Sequence, residues 1–536
     1  MYIFVSFLCM TGAVSCSGWL MENPEEWKPA SESLGDESGI NAAVCGCLEY
    51  LLGPCGYGNL FSGYIESLSA SVTPKPGDQS HSYLLSPGDG NINNVWQNFY
   101  KCIASANYII YSIENTSPDL SNESRECLLG EAYFYRALCY FNLVRIFGDL
   151  PIVTGLPKNG NEVMVPRSPV KEVYEQAIVP DLKKAMTLLP IANPFDVGRA
   201  HRISAAGTLA KVYCTMAGFP LRDESRWNDA KELLLTIVDS ADPARSLSPY
   251  QNGLQPDMAD LYFVCSIFGR SGPAVIEKMA VENGIESVFE LNYTENPQTN
   301  PGSRCAFPHS SCWRMADNTA PWLYEEAPTR ASMSKDQPSY RFYLTGRDPR
   351  HYITFTSEWF HGESYYTKSQ MKVPRVYTGE TQSFENNFTV MRYAELILLL
   401  AEAENELNGP TELAINCVNA IRERARRSTP TSLAPGSTAV DGTYPAPVNA
   451  EEASDKDIFR NYIHKEFICE FAFEGGLYLN FLRWHCLREM LEWDRYAFEP
   501  RTAIERGWPG DYAYFWPIPQ VQIDASYGIL TQNEGY

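Results

Sequence analysis

The sequence predicts a mainly α-helical protein, in which tetratricopeptide-like helix pairs form a scaffold that carries long irregular loops and a few short β-hairpins. Three observations lead to this prediction. Apolar side chains recur at steps of three and four along residues 128–147, which is the spacing of one helix face. Residues 204–240 and 401–425 each have the form of two short helices that pack through small residues. Residues 241–388 are instead rich in Pro, Gly, Asn and aromatic residues, which favours loops.

Composition and charge limit the possible functions. The chain has 536 residues, of which 44% are hydrophobic, so it can bury a large core. Its formal net charge of −22 argues against nucleic-acid binding, because binding to phosphates requires clustered Lys and Arg. Aromatic residues make up 13% of the chain, a high share with two explanations: the rings fill the core, or they form flat binding platforms with polar tips.

The N-terminus has the form of an export signal. Residues 1–15 are a short apolar run that ends in small residues before Cys16. Such a run is too short to span a bilayer and is typical of a secretory signal peptide of the lipoprotein type, which places the lipid on Cys16. No other hydrophobic stretch of the sequence reaches membrane-spanning length, so we expect membrane attachment through this lipid.

Helices are predicted through most of the first 240 residues. The central helix ends at Gly148 and Pro151, because the first favours a left-handed stop and the second cannot continue a helix. Ile152 and Val153 are then expected to form a short extended exit. The other helices predicted in this part are Asn41–Leu52, Trp96–Ile113, Pro169–Leu189, Ser204–Gly218 and Trp227–Ser240.

Two stretches lack a helical period. Residues 53–95 hold many Gly, Pro, Ser and Asn residues and are predicted to be a loop. Residues 241–388 contain only short β-like pieces, such as Ser287–Leu291 and Tyr352–Phe355. A loop-rich insert of this length in a compact protein is usually functional, so we expect ligand binding there.

The 15 cysteines do not predict a metal site. Cys305, His309 and Cys312 form the one local cluster, but a zinc site would need a fourth ligand, and none is identifiable. In an exported protein a Cys305–Cys312 disulfide is more plausible, and it would stiffen the loop around it. Seven other cysteines lie in apolar helical stretches and are interpreted as small buried hydrophobic residues: Cys102, Cys127, Cys139, Cys214, Cys417, Cys469 and Cys486.

The sequence carries few signs of catalysis, so we predict a protein that is not an enzyme and needs no cofactor. It lacks Gly-x-Ser-x-Gly, His-Glu-x-x-His and the phosphate-binding Gly-x4-Gly-Lys-Ser/Thr. Two Ser-x-x-Lys tetrads, at 332–335 and 369–372, fit a pattern that chance supplies readily in a long chain. Glu402, Glu404 and Glu406 are too close in one helix to straddle a glycosidic bond, so they are interpreted as solvated residues of a helix surface.

The richest candidate binding segment is 291–325. Sugars present polar edges and apolar C–H faces, so a sugar site combines aromatic platforms with side chains that hydrogen-bond hydroxyl groups. Trp313 and Trp322 are candidates for stacking, and the alternative is that they pin the loop to the helices. The candidates for hydroxyl contacts, with two residues of the first loop that could complete the site, are Arg314, Asp317, Asn318, Asn292, Tyr83 and His81.

Several blocks of the sequence, in order, resemble the SusD/RagB family of outer-membrane nutrient-binding lipoproteins. They include Arg-Ile-Phe-Gly-Asp-Leu-Pro-Ile-Val at 145–153, the Asp-Pro-Arg stretch at 342–354, the helix at 390–408, the helix at 463–484 and the closing residues 516–536. Within them, Arg347 and Asp348 are expected to brace a turn, and Phe467, Gly476 and Asn480 depart from the usual family residues.

The resemblance implies a single SusD-like domain over 16–536, with an N-terminal helical part (16–240), a ligand-binding insert (241–388) and a C-terminal helical part (389–536). It implies non-catalytic capture of an oligosaccharide at the cell surface, and its delivery to a TonB-dependent SusC-like barrel in the outer membrane. Peptide capture, as in the RagB branch, is the main alternative. A glycan-cleaving enzyme and a scaffold that binds only protein are further alternatives.

Overall fold

The structure is a computed structural model that describes residues 34–68, 85–116, 118–156, 165–193, 198–262, 264–266, 275–278, 281–293, 348–357, 368–370, 387–429, 440–472, 474–494 and 510–536. Helices dominate these ranges, which confirms the predicted fold class. They are α1 (Glu37–Leu52), α2 (Leu60–Ser67), α3 (Gly90–Asn115), α4 (Asn122–Phe147), α5 (Val170–Val173), α6 (Val179–Leu188), α7 (Arg202–Ala217), α8 (Arg226–Leu234), α9 (Pro349–Thr354), α10 (Tyr393–Asn408), α11 (Glu412–Arg427), α12 (Lys456–Phe471), α13 (Leu477–Arg483), α14 (Leu487–Asp494) and α15 (Gln520–Ala525). Within these ranges, no helix combines the length and hydropathy needed to cross a lipid bilayer.

Strands are few and pair in twos. They are β1 (Leu150–Pro151), β2 (Arg167–Ser168), β3 (Val264–Ser266), β4 (Val275–Lys278), β5 (Ser287–Leu291), β6 (Phe355–Ser357), β7 (Lys368–Gln370) and β8 (Phe388–Arg392). Each pair is antiparallel: β1 with β2, β3 with β4, β5 with β8, and β6 with β7. The predicted strand at Ser287–Leu291 is therefore confirmed as β5.

The central helix, α4, is buried on almost every face. Ser121 caps its N-terminus by accepting a hydrogen bond from the Ser124 backbone N–H at 3.0 Å. Gly148, at φ 75°, ends it. Between these ends, the side chains from Leu128 to Phe147 are nearly all buried, because α3 packs on one side of the helix and α6 on another. A helix that is surrounded in this way has apolar residues on all its faces rather than on one stripe.

Helices α7, α8, α10 and α11 pack in pairs. The helix pairs α7–α8 and α10–α11 correspond to the two pairs that the sequence predicts, and α10 also packs against α8 and α12. Gly409, at φ 77°, forms the turn between α10 and α11. Their apolar side chains belong to one continuous core that also includes α1, α3 and the C-terminal residues Trp516 and Ile518.

Two predicted boundaries in the N-terminal half are wrong. Residues 53–95 are not entirely loop, because α2 and the first turns of α3 lie within them. Phe61 of α2 packs edge-on against Phe99, with ring centroids 5.0 Å apart, so tertiary packing stabilises a helix too short to show a clear period. The predicted helix Trp227–Ser240 ends earlier, at Leu234, where the chain turns.

Two further predictions in the C-terminal half need correction. The block 463–484 is not one helix: it divides into α12 and α13 at a turn that contains Gly475, at φ 78°. Tyr352–Phe355 is not a strand, because α9 continues to Thr354 and β6 begins only at Phe355. In the N-terminal half, the extended exit after α4 begins earlier than predicted: β1 covers Leu150–Pro151, and Ile152 and Val153 follow it outside the strand.

Candidate functional site

The larger part of the loop-rich insert, residues 292–387, leaves and rejoins the helical frame at a single place. By the frame we mean the N-terminal and C-terminal helical parts of the chain. Leu291, the last residue of β5, pairs with Phe388, the first residue of β8. Beside this pair, the Tyr293 backbone N–H donates to Asn387 Oδ1 at 3.1 Å, and the Tyr293 hydroxyl donates to the Leu52 carbonyl at 3.0 Å. Residues 292–387 therefore start and end at a common base, which lies at the C-terminal end of α1.

The base is fixed to the frame by aromatic packing and by a buried hydrogen bond. Phe289 of β5 packs edge-on against Phe134 of α4, with centroids 5.0 Å apart. The Ser204 hydroxyl of α7 donates to the Val288 carbonyl at 2.7 Å. Because Phe289, Phe134 and Ser204 are all buried, the strand pair cannot shift without disturbing the core.

Eight buried charged residues lie where the insert meets α11 and α12, and none of these residues is more than 4% exposed. We call them the charge cluster: Arg350, Arg392, Arg422, Arg424, Asp348, Glu286, Glu466 and Glu470. They come from α9, β8, α11, α12, and from the residues just before α9 and β5. A buried charge is costly unless it is paired, and each guanidinium group of the cluster lies against at least one carboxylate of the cluster.

Arg392, at the end of β8, joins the base of the insert to α12. Its Nη1 donates to Glu286 Oε1 at 2.6 Å and to Glu470 Oε1 at 2.7 Å, and its Nε donates to Glu474 Oε2 at 2.8 Å. Its guanidinium also lies 4.1 Å from the centroid of the Phe471 ring. Burial lowers the pKa of Arg392, but the surrounding carboxylates outweigh burial and hold its pKa well above the ordinary value.

Glu466 of α12 is shared by two arginines. Its Oε1 accepts from Arg422 Nε at 2.8 Å, and its Oε2 accepts from Arg350 Nη1 at 3.0 Å. Burial raises the pKa of Glu466, but the two guanidinium groups outweigh burial and bring its pKa below the ordinary value. A carboxylate whose pKa is lowered in this way has no proton to donate at neutral pH, so Glu466 is not suited to act as a general acid.

Of the predicted ligand-binding residues, the structure describes only Asn292. It follows β5 directly and lies against Gly198, where an added Cβ would come within 2.4 Å of Asn292 Nδ2. The remaining candidates lie outside the described residues and stay predictions: Trp313, Trp322, Arg314, Asp317, Asn318, Tyr83 and His81. The same holds for the signal peptide at 1–15, the lipidation of Cys16 and the Cys305–Cys312 disulfide.

The interpretation of Glu402, Glu404 and Glu406 as solvated residues is wrong for the first two, which are 2% and 4% exposed. The reason is that α10 lies between α8 and α12, so its polar side chains face neighbouring helices. Glu404 pairs with Lys231 of α8 at 2.6 Å, and Glu406, which is also largely covered, pairs with Arg460 of α12.

Glu402 pairs with Arg483 of α13. Its two oxygens accept from the two terminal nitrogens of Arg483 at 2.7 Å each, and its Oε1 accepts from Trp484 Nε1 at 2.9 Å. Burial raises the pKa of Glu402, but Arg483 and His464 outweigh it and lower the pKa to about 2. Such a carboxylate cannot act as a general acid near neutral pH, and its role is structural.

Two other sequence-based expectations concern the turn before α9 and the cysteines of the helices. Asp348 accepts from the Arg350 backbone N–H at 2.9 Å where α9 begins, so it braces this turn as expected; Arg347 lies outside the described residues. The seven helical cysteines are buried as predicted, except that Cys486 is only partly buried. Among the residues that the structure describes, no group of three or more His, Cys, Asp or Glu side chains could hold a metal ion.

Sequence reasoning did not identify the arginines of the charge cluster as part of the site. The one available signal was an excess of charged residues in helices with buried faces, for example Arg422 and Arg424 in α11. The carboxylate partners of Arg422 and Arg424 lie 30 or more residues away in the sequence, so no local pattern joins them.

Comparison with known sequences places the chain in a family. Residues 275–536 match a sequence model described as the SusD family, and residues 66–214 match one described as starch-binding and associating with the outer membrane. A SusD-like protein of Formosa agariphila is 24% identical over 487 residues, which cover 89% of this chain and 87% of that protein. This chain belongs to the SusD-like family.

Solved structures of SusD-like proteins share the fold. A SusD homologue of Bacteroides thetaiotaomicron superposes with a TM-score of 0.69 at 19% identity, covering 94% of this chain and 99% of the other. A laminarin-binding SusD-like protein superposes with a TM-score of 0.63 at 20% identity, covering 94% of this chain and all of the other. At these identities the likeness concerns the fold, and it holds over nearly the whole SusD-like chain.

Proposed function

We propose that this SusD-like protein is a non-catalytic lipoprotein of the outer-membrane surface, which binds an oligosaccharide and delivers it to a TonB-dependent SusC-like transporter. Family membership supports glycan binding, as do the starch-binding description of one matched sequence model and the laminarin-binding protein of the same fold. The observation that carries the proposal is that a long insert, rich in aromatic and amide side chains, is mounted at one base on a closely packed helical frame.

The two ends of α1 make different contacts, and only its C-terminal end meets the base of the insert. The chain enters α1 beside Asp36, which forms an isolated parallel bridge with Asp119. The opposite end of α1, at Leu52, contacts the base of the insert through Tyr293. Because α1 has 16 residues and a helix rises about 1.5 Å per residue, the two ends are roughly 24 Å apart.

The insert carries the chemistry of a sugar site. Trp313 and Trp322 would stack on the apolar C–H faces of sugar rings, while Arg314, Asp317 and Asn318 would hydrogen-bond the hydroxyl groups. Asn292 lies at the base of the insert, and Tyr83 and His81 would complete the site from the first loop. Fixed attachment of the insert at its base reduces the conformational entropy that is lost when a ligand binds.

A binding array with the purified protein tests the function. We expect binding to maltooligosaccharides, laminarin oligosaccharides or another glycan on an array that also carries peptides. Binding to peptides alone would favour peptide capture, and binding to neither would contradict the proposal. Chromatography of the bound glycan after incubation should show no shorter products, since their release would identify an enzyme.

Replacing both tryptophans tests the site. Trp313→Ala with Trp322→Ala should weaken the affinity for the bound glycan on the order of tenfold or more, because aromatic anchors commonly dominate such interfaces. Isothermal titration calorimetry measures the change. Tyr527→Ala is the matched control, since Tyr527 is 84% exposed on the C-terminal segment and its removal leaves the insert intact. An unchanged affinity in the double variant would refute this assignment.

A further inference from the structure

Arg145 lies in the last turn of α4, where it is partly buried, and it has no carboxylate partner in the part of the chain that the structure describes. Its Nε donates to the Phe141 carbonyl at 3.0 Å and its Nη2 donates to Asn142 Oδ1 at 2.6 Å, so both acceptors are neutral. Its Nη1 also carries N–H groups, for which the described residues supply no acceptor. A cation among packed helices is costly unless an opposite charge lies close to it.

Tyr174 is a second polar side chain near Arg145 whose hydrogen-bonding capacity is unused. It begins the π-helical segment Tyr174–Ile178, which joins α5 to α6 and packs against α4. Tyr174 is 2% exposed, yet its hydroxyl forms no hydrogen bond with the residues that the structure describes. The Phe141 ring contacts both groups, because its centroid lies 3.9 Å from Arg145 Cζ and 6.3 Å from the centroid of the Tyr174 ring. A buried hydroxyl normally has a partner, and π-helical segments often occur at functional sites.

Positive charge is concentrated around Arg145. Burial lowers the pKa of Arg145, and the nearby guanidinium group of Arg483 lowers it further. Burial and the charge of Arg145 also lower the pKa of Lys211 of α7. Two carboxylates of α10 lie near these cations, but each is already paired: Glu395 with Lys211 at 2.7 Å, and Glu402 with Arg483 at 2.7 Å. A negative charge beside Arg145 would therefore be stabilised.

We propose that Arg145 Nη1 and the Tyr174 hydroxyl together bind a small monovalent inorganic anion, such as chloride, inside the helical frame. Guanidinium N–H groups only donate, and a hydroxyl without an acceptor can turn its proton towards an anion. A monovalent anion matches the single charge of Arg145. Bound there, it joins the end of α4 to the π-helical segment. Both residues belong to the frame, so this inference does not depend on the proposed function.

Anomalous diffraction from crystals of the full chain grown in sodium bromide tests the site directly. Bromide has the charge of chloride and a similar size, and its anomalous signal shows where it binds. We expect a bromide peak within hydrogen-bond distance of both Arg145 Nη1 and the Tyr174 hydroxyl oxygen. Bromide found only on the protein surface would overturn the proposal.

Thermal unfolding of the full chain provides a second measurement, in which sodium chloride replaces sodium gluconate at constant ionic strength. An anion that binds only the folded state raises the melting temperature by mass action, so the melting temperature of the wild type should rise with chloride. Tyr174→Phe should require about tenfold more chloride for the same rise, because one hydrogen bond to the anion is lost. In gluconate it should unfold no earlier than the wild type, since its hydroxyl has no partner in the described residues. An equal chloride dependence in both proteins would overturn the proposal.

Arg145→Gln and Arg125→Gln form a matched pair for the same measurement. Both arginines belong to α4, are partly buried and donate to neutral oxygens, which for Arg125 are the carbonyls of Ile113 and Pro118. We expect the chloride dependence to disappear in Arg145→Gln and to persist in Arg125→Gln. Loss of the dependence in both variants, or in neither, would contradict the assignment. Should Arg145→Gln not fold, Tyr174→Phe and the bromide crystals still decide.

Discussion

Glu402 shows how a single buried residue contributes to stability in a pH-dependent way. Its carboxylate meets both terminal nitrogens of Arg483 in the interior, and its pKa is lowered to about 2 in the folded protein. The pair is buried on both sides, at 3% side-chain exposure each. Removing one partner of such a pair leaves an uncompensated buried charge, which costs about 3–5 kcal/mol.

This gives a prediction with a definite sign. A carboxylate whose pKa falls on folding contributes stability at pH values above its unfolded pKa, and that contribution is lost as pH falls towards the folded value. Glu402→Gln should therefore lower the melting temperature most near pH 7, and the difference from wild type should shrink between pH 4.5 and about 2. Differential scanning calorimetry across this range measures it.

Glu423→Gln is the control for this variant. Glu423 pairs with Arg427 on the surface of α11, where the two side chains are 49% and 72% exposed, so the pair should contribute less than about 1 kcal/mol. A difference between Glu402→Gln and wild type that stayed constant from pH 7 to pH 2 would show that the Glu402 carboxylate is not the titrating group.

Close packing between helices and strands determines whether a glycine can be replaced by a larger residue. Gly207 of α7 faces the β8–α10 region, and an added Cβ would lie 2.9 Å from Met391 Sδ and 3.0 Å from Leu396 Cδ2. Gly46 of α1 lies in a helix as well, but an added Cβ there meets nothing within 4 Å. The same glycine-to-alanine substitution at the two positions therefore separates the effect of helix propensity on stability from the effect of packing.

Opposite effects are expected from the same substitution at these positions. Gly46→Ala should raise the free energy of unfolding by about 0.5–1 kcal/mol, because alanine reduces the entropy of the unfolded chain and favours helix. Gly207→Ala should gain the same stability from helix propensity, but overpacking should lower its free energy of unfolding by about 1–3 kcal/mol. Urea denaturation measures both, and a stabilised Gly207→Ala variant would mean that Met391 and Leu396 move aside without cost.

At the scale of the whole molecule, the frame and the insert have different tasks. The frame is one continuous core in which α4 is enclosed, and it gives the insert fixed supports at the β5–β8 base and at α9. Anchoring and transport would act through the frame, and ligand capture through the insert. This division allows the loops to vary in sequence without loss of the fold.

Attachment and partnership can be tested in the producing cell. Replacing the proposed lipidation site, Cys16→Ser, should release the protein from the outer-membrane fraction into the soluble fraction, because a lipid chain and not a helix would hold it there. Wild-type protein purified in mild detergent should bring a TonB-dependent barrel with it. Retention of Cys16→Ser in the membrane fraction would contradict lipidation at Cys16, and isolation without a barrel would contradict the partnership.

The sequence determined the helical elements, because their signals are local. The period of α4, the stop at Gly148 and the turn at Gly409 each lie within a few residues and needed no knowledge of distant contacts. The block resemblance to the SusD/RagB family and the position of β5 were likewise available from the residues alone. Short elements such as α2 were missed, because eight residues carry too little periodic signal.

Only the tertiary structure decided which charges are buried and which segments meet. Glu402 and its partner Arg483 are 81 residues apart, and Arg350 and Glu466 are 116 apart, so no local pattern could pair them. A glutamate on a helix has the same sequence appearance whether it faces water or another helix. Burial depends on what packs against it, and that is a property of the folded chain as a whole.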